Sequence, residues 1–267
     1  MKIDFHTHAF NEKIAEKAIS NLEVIADIKP YTRGLVSQTI ERMDEWGVDK
    51  SVLLPIATKP SQQTIINNWS KEQNSGRIIA FGSVHPDAED AFSELERIKE
   101  MGLKGVKLHP DYQGFDIDEE RLFPLYKKIA ELGLVCVFHA GYDCYSPDHV
   151  HARPEASAKV HKAVPEMKMV LAHLGGYQHW DDVYTQIAGL EGEIYLDTSM
   201  CAGYIDDELF LKIIRKHGAD RILFASDCPW CSAGETVKLI ERVGLTDEEK
   251  EMIYHKNAET LLGIIDN

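Results

Sequence analysis

Residues 1–8, MKIDFHTH, read as a strand that runs into two histidines two positions apart. Alternate side chains of a strand share a face, so His6 and His8 are expected on one side and Ile3 and Phe5 on the other. Two imidazoles converging from a rigid strand are half of a metal site, because neutral histidine is the commonest nitrogen ligand of zinc-like ions. A lone His-x-His is more often surface chemistry than a ligand pair. The rest of the chain reverses that weighting.

Working outward, short apolar and β-branched runs recur at 50–55 (KSVLLP), 78–84 (IIAFGSV), 103–108 (LKGVKL) and 134–138 (LVCVF). Three more follow at 169–172 (MVLA), 194–198 (IYLDT) and 221–225 (RILFA). Helical periodicity fills 87–101, 119–132, 178–190, 206–217 and 246–262, with Gly102, Gly133 and Gly218 as stop signals. Strands alternating with helices imply a parallel sheet. Eight such units in 267 residues close most simply as an α/β (β/α)8 TIM barrel, a single domain over 1–267. An open doubly wound sheet is the alternative, disfavoured because no Gly-x-Gly-x-x-Gly loop follows the first strand.

A net charge of −15 excludes the basic stripe of a nucleic-acid binder. No apolar run has the length of a membrane span, and no secretory leader pattern is present, so a cytoplasmic protein is expected. Five cysteines without framework spacing fit reduced thiols. Cys228-Pro-Trp-Cys231 has the form of a redox pair, but directly after a strand-ending Asp227 it reads as two incidental loop thiols.

In a parallel barrel the reactive groups sit where strands end. Here the third strand runs into His85, the fourth into Lys107 and His109, the fifth into His139, the sixth into His173 and the eighth into Asp227. Lys107 shares a face with His109, and a lysine pointing into a barrel is costly unless neutralised, paired or modified. His85 and His109, each before a proline, could equally cap their loops. Asp4 either orients a histidine or is a plain strand-edge carboxylate. In the loop at 142–155, Arg153 is suited to grip a substrate carboxylate, with a helix-start salt bridge to Glu155 as the alternative. Tyr177, His179 and Trp180 form a rim cluster, for which packing over the barrel lip is the favoured reading and stacking of Trp180 on substrate the alternative.

The stretches DFHTH, GLKGVKLHP, VFHAG, LAHLGG, ILFASDCPW and NAETLLG together resemble the amidohydrolase superfamily. The phrasing is closest to its amidohydrolase-2 branch, which includes aminocarboxymuconate-semialdehyde decarboxylase-like proteins. The resemblance implies that His6, His8, His139 and Asp227 hold Zn2+ or another divalent ion, with Asp227 as acid–base and His173 polarising the substrate. It implies one ion in preference to two. In the two-ion form a carboxylated Lys107 bridges the ions, and His139 and His173 bind the second. His109, Arg153 and Trp180 would then contact a small-molecule substrate. Hydrolysis of an amide, ester or lactone is the reaction favoured, with decarboxylation of a small unsaturated or aromatic acid as the alternative and a non-enzymatic metal-binding role third. No nucleic-acid or membrane partner is expected, and a homodimer is left open.

Overall fold

Eight short parallel strands alternate with helices in the computed structural model, which describes residues 1–264; the last three residues of the expected 1–267 domain lie outside the described residues. The strands are β1 (Ile3–Thr7), β2 (Lys50–Leu53), β3 (Ile78–Ala80), β4 (Gly105–Leu108), β5 (Val135–Phe138), β6 (Lys168–Leu171), β7 (Ile194–Asp197) and β8 (Ile222–Leu223). β1–β3 and β4–β8 each pair in chain order. Two seams join them. Gly82 N–H donates to Gly105 O at 2.8 Å and Lys107 N–H to Gly82 O at 2.9 Å, while Phe5 N–H donates to Phe224 O at 2.8 Å. The sheet therefore closes as a (β/α)8 barrel.

Both faces of each strand are buried, as a barrel wall demands, which is why Val, Ile, Leu and Phe dominate these runs. The lumen is filled by Ile3, Phe5, Val52, Leu54, Phe81, Val135, Val137, Val170, Leu223 and Ala225, against which the closing helix Asn257–Leu262 packs Ala258, Leu261 and Leu262. A second layer, including Val106, Leu108, Cys136, Phe138, Met169 and Phe224, lies between strands and helices. Lys107 and Val137 thus face inward while their chain neighbours face the helices.

β1 departs from the expected alternation. Asp4 pairs with Ser51 and Thr7 with Leu53, so three steps of β1 oppose two of β2. This bulge inserts one residue and resets the parity. Ile3 and Phe5 fill the lumen, and His6, one residue later, turns inward as well; the expectation that Ile3 and Phe5 oppose the histidines is corrected.

The helices begin where side chains can satisfy free backbone N–H groups. Asp206 accepts from Glu208 and Leu209, and Thr246 and Glu249 form a reciprocal capping box. The segment expected as one helix at 246–262 is divided into Asp247–Glu251, a wider π-turn at Met252–Lys256, and Asn257–Leu262. Among the described residues, no helix is long and apolar enough to cross a membrane.

Candidate metal centre

At the C-terminal mouth, His6 Nδ1 lies 2.8 Å from Asp197 Oδ2 and His8 Nδ1 lies 2.8 Å from the Leu54 carbonyl. Those oxygens accept only, so each Nδ1 carries the proton and each Nε2 is a bare lone pair. The two Nε2 atoms stand 3.1 Å apart, and Asp227 Oδ1 lies 3.4 Å from one and 3.2 Å from the other. Three acceptors face one another with no proton between them, and Asp227 Oδ1 is buried without a hydrogen-bond partner. A tetrahedral ion with ligands at ~2.1 Å separates them by about 3.4 Å. The donor set and its spacing fit a divalent cation. Burial, reinforced by the Lys107 charge, pushes His6 well below the usual imidazole range, which keeps it neutral as a ligand must be. Burial pushes Asp227 up, but His6, His8 and Lys107 pull it below the usual carboxylate range.

Asp227 sits at φ 74°, a strained backbone setting for a residue with a side chain. Asp4 holds that turn. Its carboxylate accepts the Ser226 N–H at 2.9 Å, the Ser226 hydroxyl at 2.5 Å and the His6 N–H at 3.2 Å. Asp4 therefore fixes the backbone beneath two ligand candidates instead of touching an imidazole. Lys107 is 1% exposed; its Nζ lies 3.5 Å from His6 Nε2, and no ion pair is found for it among the described residues. Burial lowers its ammonium to about 8.

A chain of hydrogen bonds connects the remaining histidines. The Ser199 hydroxyl donates to Asp197 Oδ1 in a short contact, so Ser199 Oγ accepts from His173 Nδ1 at 2.9 Å. His173 Nε2 must then accept from His139 Nδ1 at 3.0 Å. This leaves His139 Nε2 bare. It lies 3.6 Å from Asp143 Oδ2 and 3.8 Å from Asp111 Oδ2. The expected set of His6, His8, His139 and Asp227 is therefore split: three converge, and His139 groups with His109 and Asp143. Both nitrogens of His173 are engaged, so a donor role there requires a proton shift along the chain.

Asp197 and Ser199 were not among the expected site residues, nor were Asp111 and Asp143. Trp180 is buried and donates its indole N–H to the His173 carbonyl at 3.0 Å, so it packs at the barrel lip and holds the backbone behind His173. The expectation for Arg153 is corrected: it is exposed and lines a surface cleft of about 300 Å³ with Asp116, Asp118, His149 and Lys159, apart from the strand-end cluster. His85 accepts the Asp87 N–H at 3.2 Å and caps its own loop. Cys228 and Cys231 are both free thiols, and burial pushes Cys231 up to about 12, which leaves no reactive thiolate.

The loops that frame the mouth are stitched by backbone. Gly141 N–H donates to Ala152 O at 2.9 Å and Tyr177 N–H to Ala140 O at 2.9 Å. Gly141 has φ 89°, and a Cβ there would overlap the Tyr177 backbone, so only glycine permits this approach.

Comparison with known proteins agrees with this geometry. A decarboxylase of 2-amino-3-carboxymuconate-6-semialdehyde from Dictyostelium discoideum is 24% identical over 229 residues. The match covers 73% of this chain but 64% of that protein, so this chain spans less than two thirds of its relative. The crystal structure of 5-carboxyvanillate decarboxylase from Sphingomonas paucimobilis superposes with a TM-score of 0.74 at 17% identity, covering 99% of both chains. A dihydroxybenzoic acid decarboxylase from Polaromonas sp. JS666, with bound manganese and 2-nitroresorcinol, gives a TM-score of 0.74 at 17% identity, covering 100% of this chain and 98% of its own. At such identities the superpositions speak for the fold alone. The amidohydrolase family model matches residues 3–264, nearly the whole barrel and every strand-end residue described above. This chain belongs to the amidohydrolase family.

Proposed function

We propose that this protein is a metal-dependent decarboxylase of a small unsaturated or aromatic carboxylic acid, using one divalent ion such as zinc or manganese at His6, His8 and Asp227. The observation that carries the reading is the triad of acceptors with no proton among them, His6 and Asp227 buried and His8 partly so. Family membership and the decarboxylase activity of the curated relative support this reaction over the hydrolysis favoured from sequence. Five free cysteines support a reducing, cytoplasmic setting.

When bound, the ion supplies Lewis-acid polarisation of substrate oxygens. The residues do the rest. Lys107 brings a buried positive charge to the substrate carboxylate. His6, Lys107, His139, His173 and Asp227 are all buried, and exclusion of water favours neutral CO2 over the carboxylate that enters. As the carbon–carbon bond breaks, its electron pair stays on the unsaturated carbon. Asp227 takes a proton from water or a substrate hydroxyl and returns it to that carbon.

Zinc- or manganese-loaded protein, offered unsaturated and hydroxybenzoic acids beside lactones and amides in 18O-water, tests this. Release of CO2 without 18O in the organic product is expected. An 18O-labelled acid with no CO2 would overturn decarboxylation in favour of hydrolysis. Intact mass reads the alternative state of Lys107, since a carbamate adds one CO2.

A further inference from the structure

One hydroxyl joins two histidines that come from different strands. Ser199 lies two residues beyond the end of β7, is wholly buried, and turns back onto Asp197. The residue between them is pinned to the segment after β8, because the Thr198 hydroxyl donates to Ala225 O at 3.1 Å and accepts the Ala225 N–H at 2.9 Å. The Ser199 N–H donates to Asp197 Oδ1 at 3.0 Å. Its side chain is thus presented from a rigid corner.

A hydroxyl has one proton and two lone pairs. Here the proton goes to Asp197 Oδ1. His173 Nδ1 lies 2.9 Å and His6 Nδ1 3.2 Å from the same oxygen, so both rings donate to it and both keep a bare Nε2. The His173 N–H ties its backbone to the same corner, 3.0 Å from Asp197 Oδ1 and 3.3 Å from Ser199 Oγ. The two rings depend on Ser199 unequally. His6 Nδ1 has a nearer partner in Asp197 Oδ2 at 2.8 Å. For His173 Nδ1, Ser199 Oγ is the sole partner among the described residues.

We propose that Ser199 is a positioning residue of the strand-end centre, which relays Asp197 to His173, holds that ring's proton on Nδ1, and keeps its Nε2 as a lone pair among the strand-end histidines. The hydrogen bond at one imidazole nitrogen decides what the other nitrogen can do. Through this serine, a single carboxylate makes that decision for two rings, directly for His6 and at one remove for His173. The role rests on the reading of these strand ends as a reactive centre, and it is the same for decarboxylation and for hydrolysis.

Ser199→Ala separates the two rings, since it removes the only holder of His173 Nδ1 and leaves Asp197 on His6. Zinc-loaded full-length protein, labelled with 15N in its histidine rings, is read by long-range 1H–15N correlation, with His173→Gln supplying the assignment. Wild type is expected to show His173 as the Nδ1–H tautomer. In Ser199→Ala that signal should pass to the other tautomer or to an average of the two, with metal content per chain unchanged. On the acids that wild type turns over, kcat should fall about 10-fold or more while KM stays within about twofold. An Nε2–H tautomer at His173 in wild type, or the same Nδ1–H tautomer with and without the Ser199 hydroxyl, overturns the proposal. An unchanged kcat also overturns it, and so does loss of metal in Ser199→Ala, because the hydroxyl would then act through His6. Wild type that releases no CO2 from any acid sinks the decarboxylase reading alone, and the tautomers then decide the role of Ser199.

Discussion

Two groups that join a His-x-His pair to one aspartate occur among the described residues, and they behave differently. At the barrel mouth, His6 and His8 spend their Nδ1 protons on Asp197 and on the Leu54 carbonyl, and turn bare Nε2 atoms toward Asp227. On the surface, His149 Nε2 and His151 Nδ1 lie 2.7 and 2.9 Å from Asp116 Oδ1, so both rings donate directly to the carboxylate. The first group has no proton to share and is largely buried, only His8 reaching partway to solvent; the second is satisfied by its own protons and is wet. Residue type and spacing are the same, His-x-His with an Asp from elsewhere in the chain. The difference is made by what holds the other ring nitrogen, and only the buried group has its lone pairs presented.

The largest effect is expected at the buried group. Asp227→Asn and His6→Ala should each lower turnover by about 10³-fold or more, as losing a ligand and a proton carrier does. Each should shed one metal equivalent while circular dichroism stays that of the barrel. His149→Ala should lose neither activity nor metal. A variant of His149 that sheds an equivalent would break the comparison, because the exposed group would then be a ligand set too.

The holder of the Nδ1 proton comes next. Asp197 accepts from His6 through Oδ2, and from the His173 N–H and the Ser199 N–H, each at 3.0 Å, through Oδ1. Asp197→Asn puts an amide donor among these donors and frees the His6 ring to turn or change tautomer. Metal affinity, measured by competition with a chromogenic chelator, should fall roughly 10- to 100-fold. Unchanged affinity would show that His6 is held by packing alone, and that the partner of Nδ1 does not separate the two groups.

These residues also mark where the sequence could be read and where it could not. The barrel was legible because each strand carries its own apolar run and each helix its own period and cap. His6, His8, His139, His173 and Asp227 were legible because a parallel barrel aligns its strand ends, so chain order becomes spatial order. The β1 bulge was not, since alternation is a rule that one inserted residue breaks without a sequence signature. Asp197 ends β7, where Asp-Thr-Ser carries the same kind of signal as Ser-Asp after β8, but a lone carboxylate without a histidine does not mark a strand end as reactive. Asp111 and Asp143 lie in loops, where no periodicity says which way a side chain turns. Arg153 lies away from the strand-end cluster for that reason. An aromatic next to the mouth can spend its N–H on backbone, and a loop arginine can point outward.

A third kind of histidine separates burial from metal. His217 is buried, lies 3.0 Å by Nε2 from the Ile194 carbonyl, and is held down to about 4 by burial first and then by Arg221. Its folded pKa lies below the unfolded value of ~6.5, so the unfolded chain binds more protons between those values. Its contribution is complete above pH ~6.5 and is lost as pH falls toward 4, to a total of about 3 kcal/mol. His217→Gln removes that titration. Urea unfolding of both proteins at pH 7 and pH 4 should show the wild type losing more stability than the variant. Equal losses would mean that the site admits a proton at no cost, and burial alone would no longer explain why the inner imidazoles stay neutral.

The smallest effect is expected at Arg153. It is exposed beside Asp116, His149 and His151, and the cleft it lines contains none of the strand-end residues. A guanidinium so placed can steer an anion only through solvent, where a charge is screened within about 8 Å at physiological salt. Arg153→Ala should therefore leave KM for an acidic substrate unchanged, or raise it by less than about twofold with a salt-dependent difference. A large, salt-independent rise in KM would mean that the loop at 142–155 folds over the mouth when substrate binds. The surface group would then join the buried one in a single site, and the contrast between them would hold for the unliganded protein only.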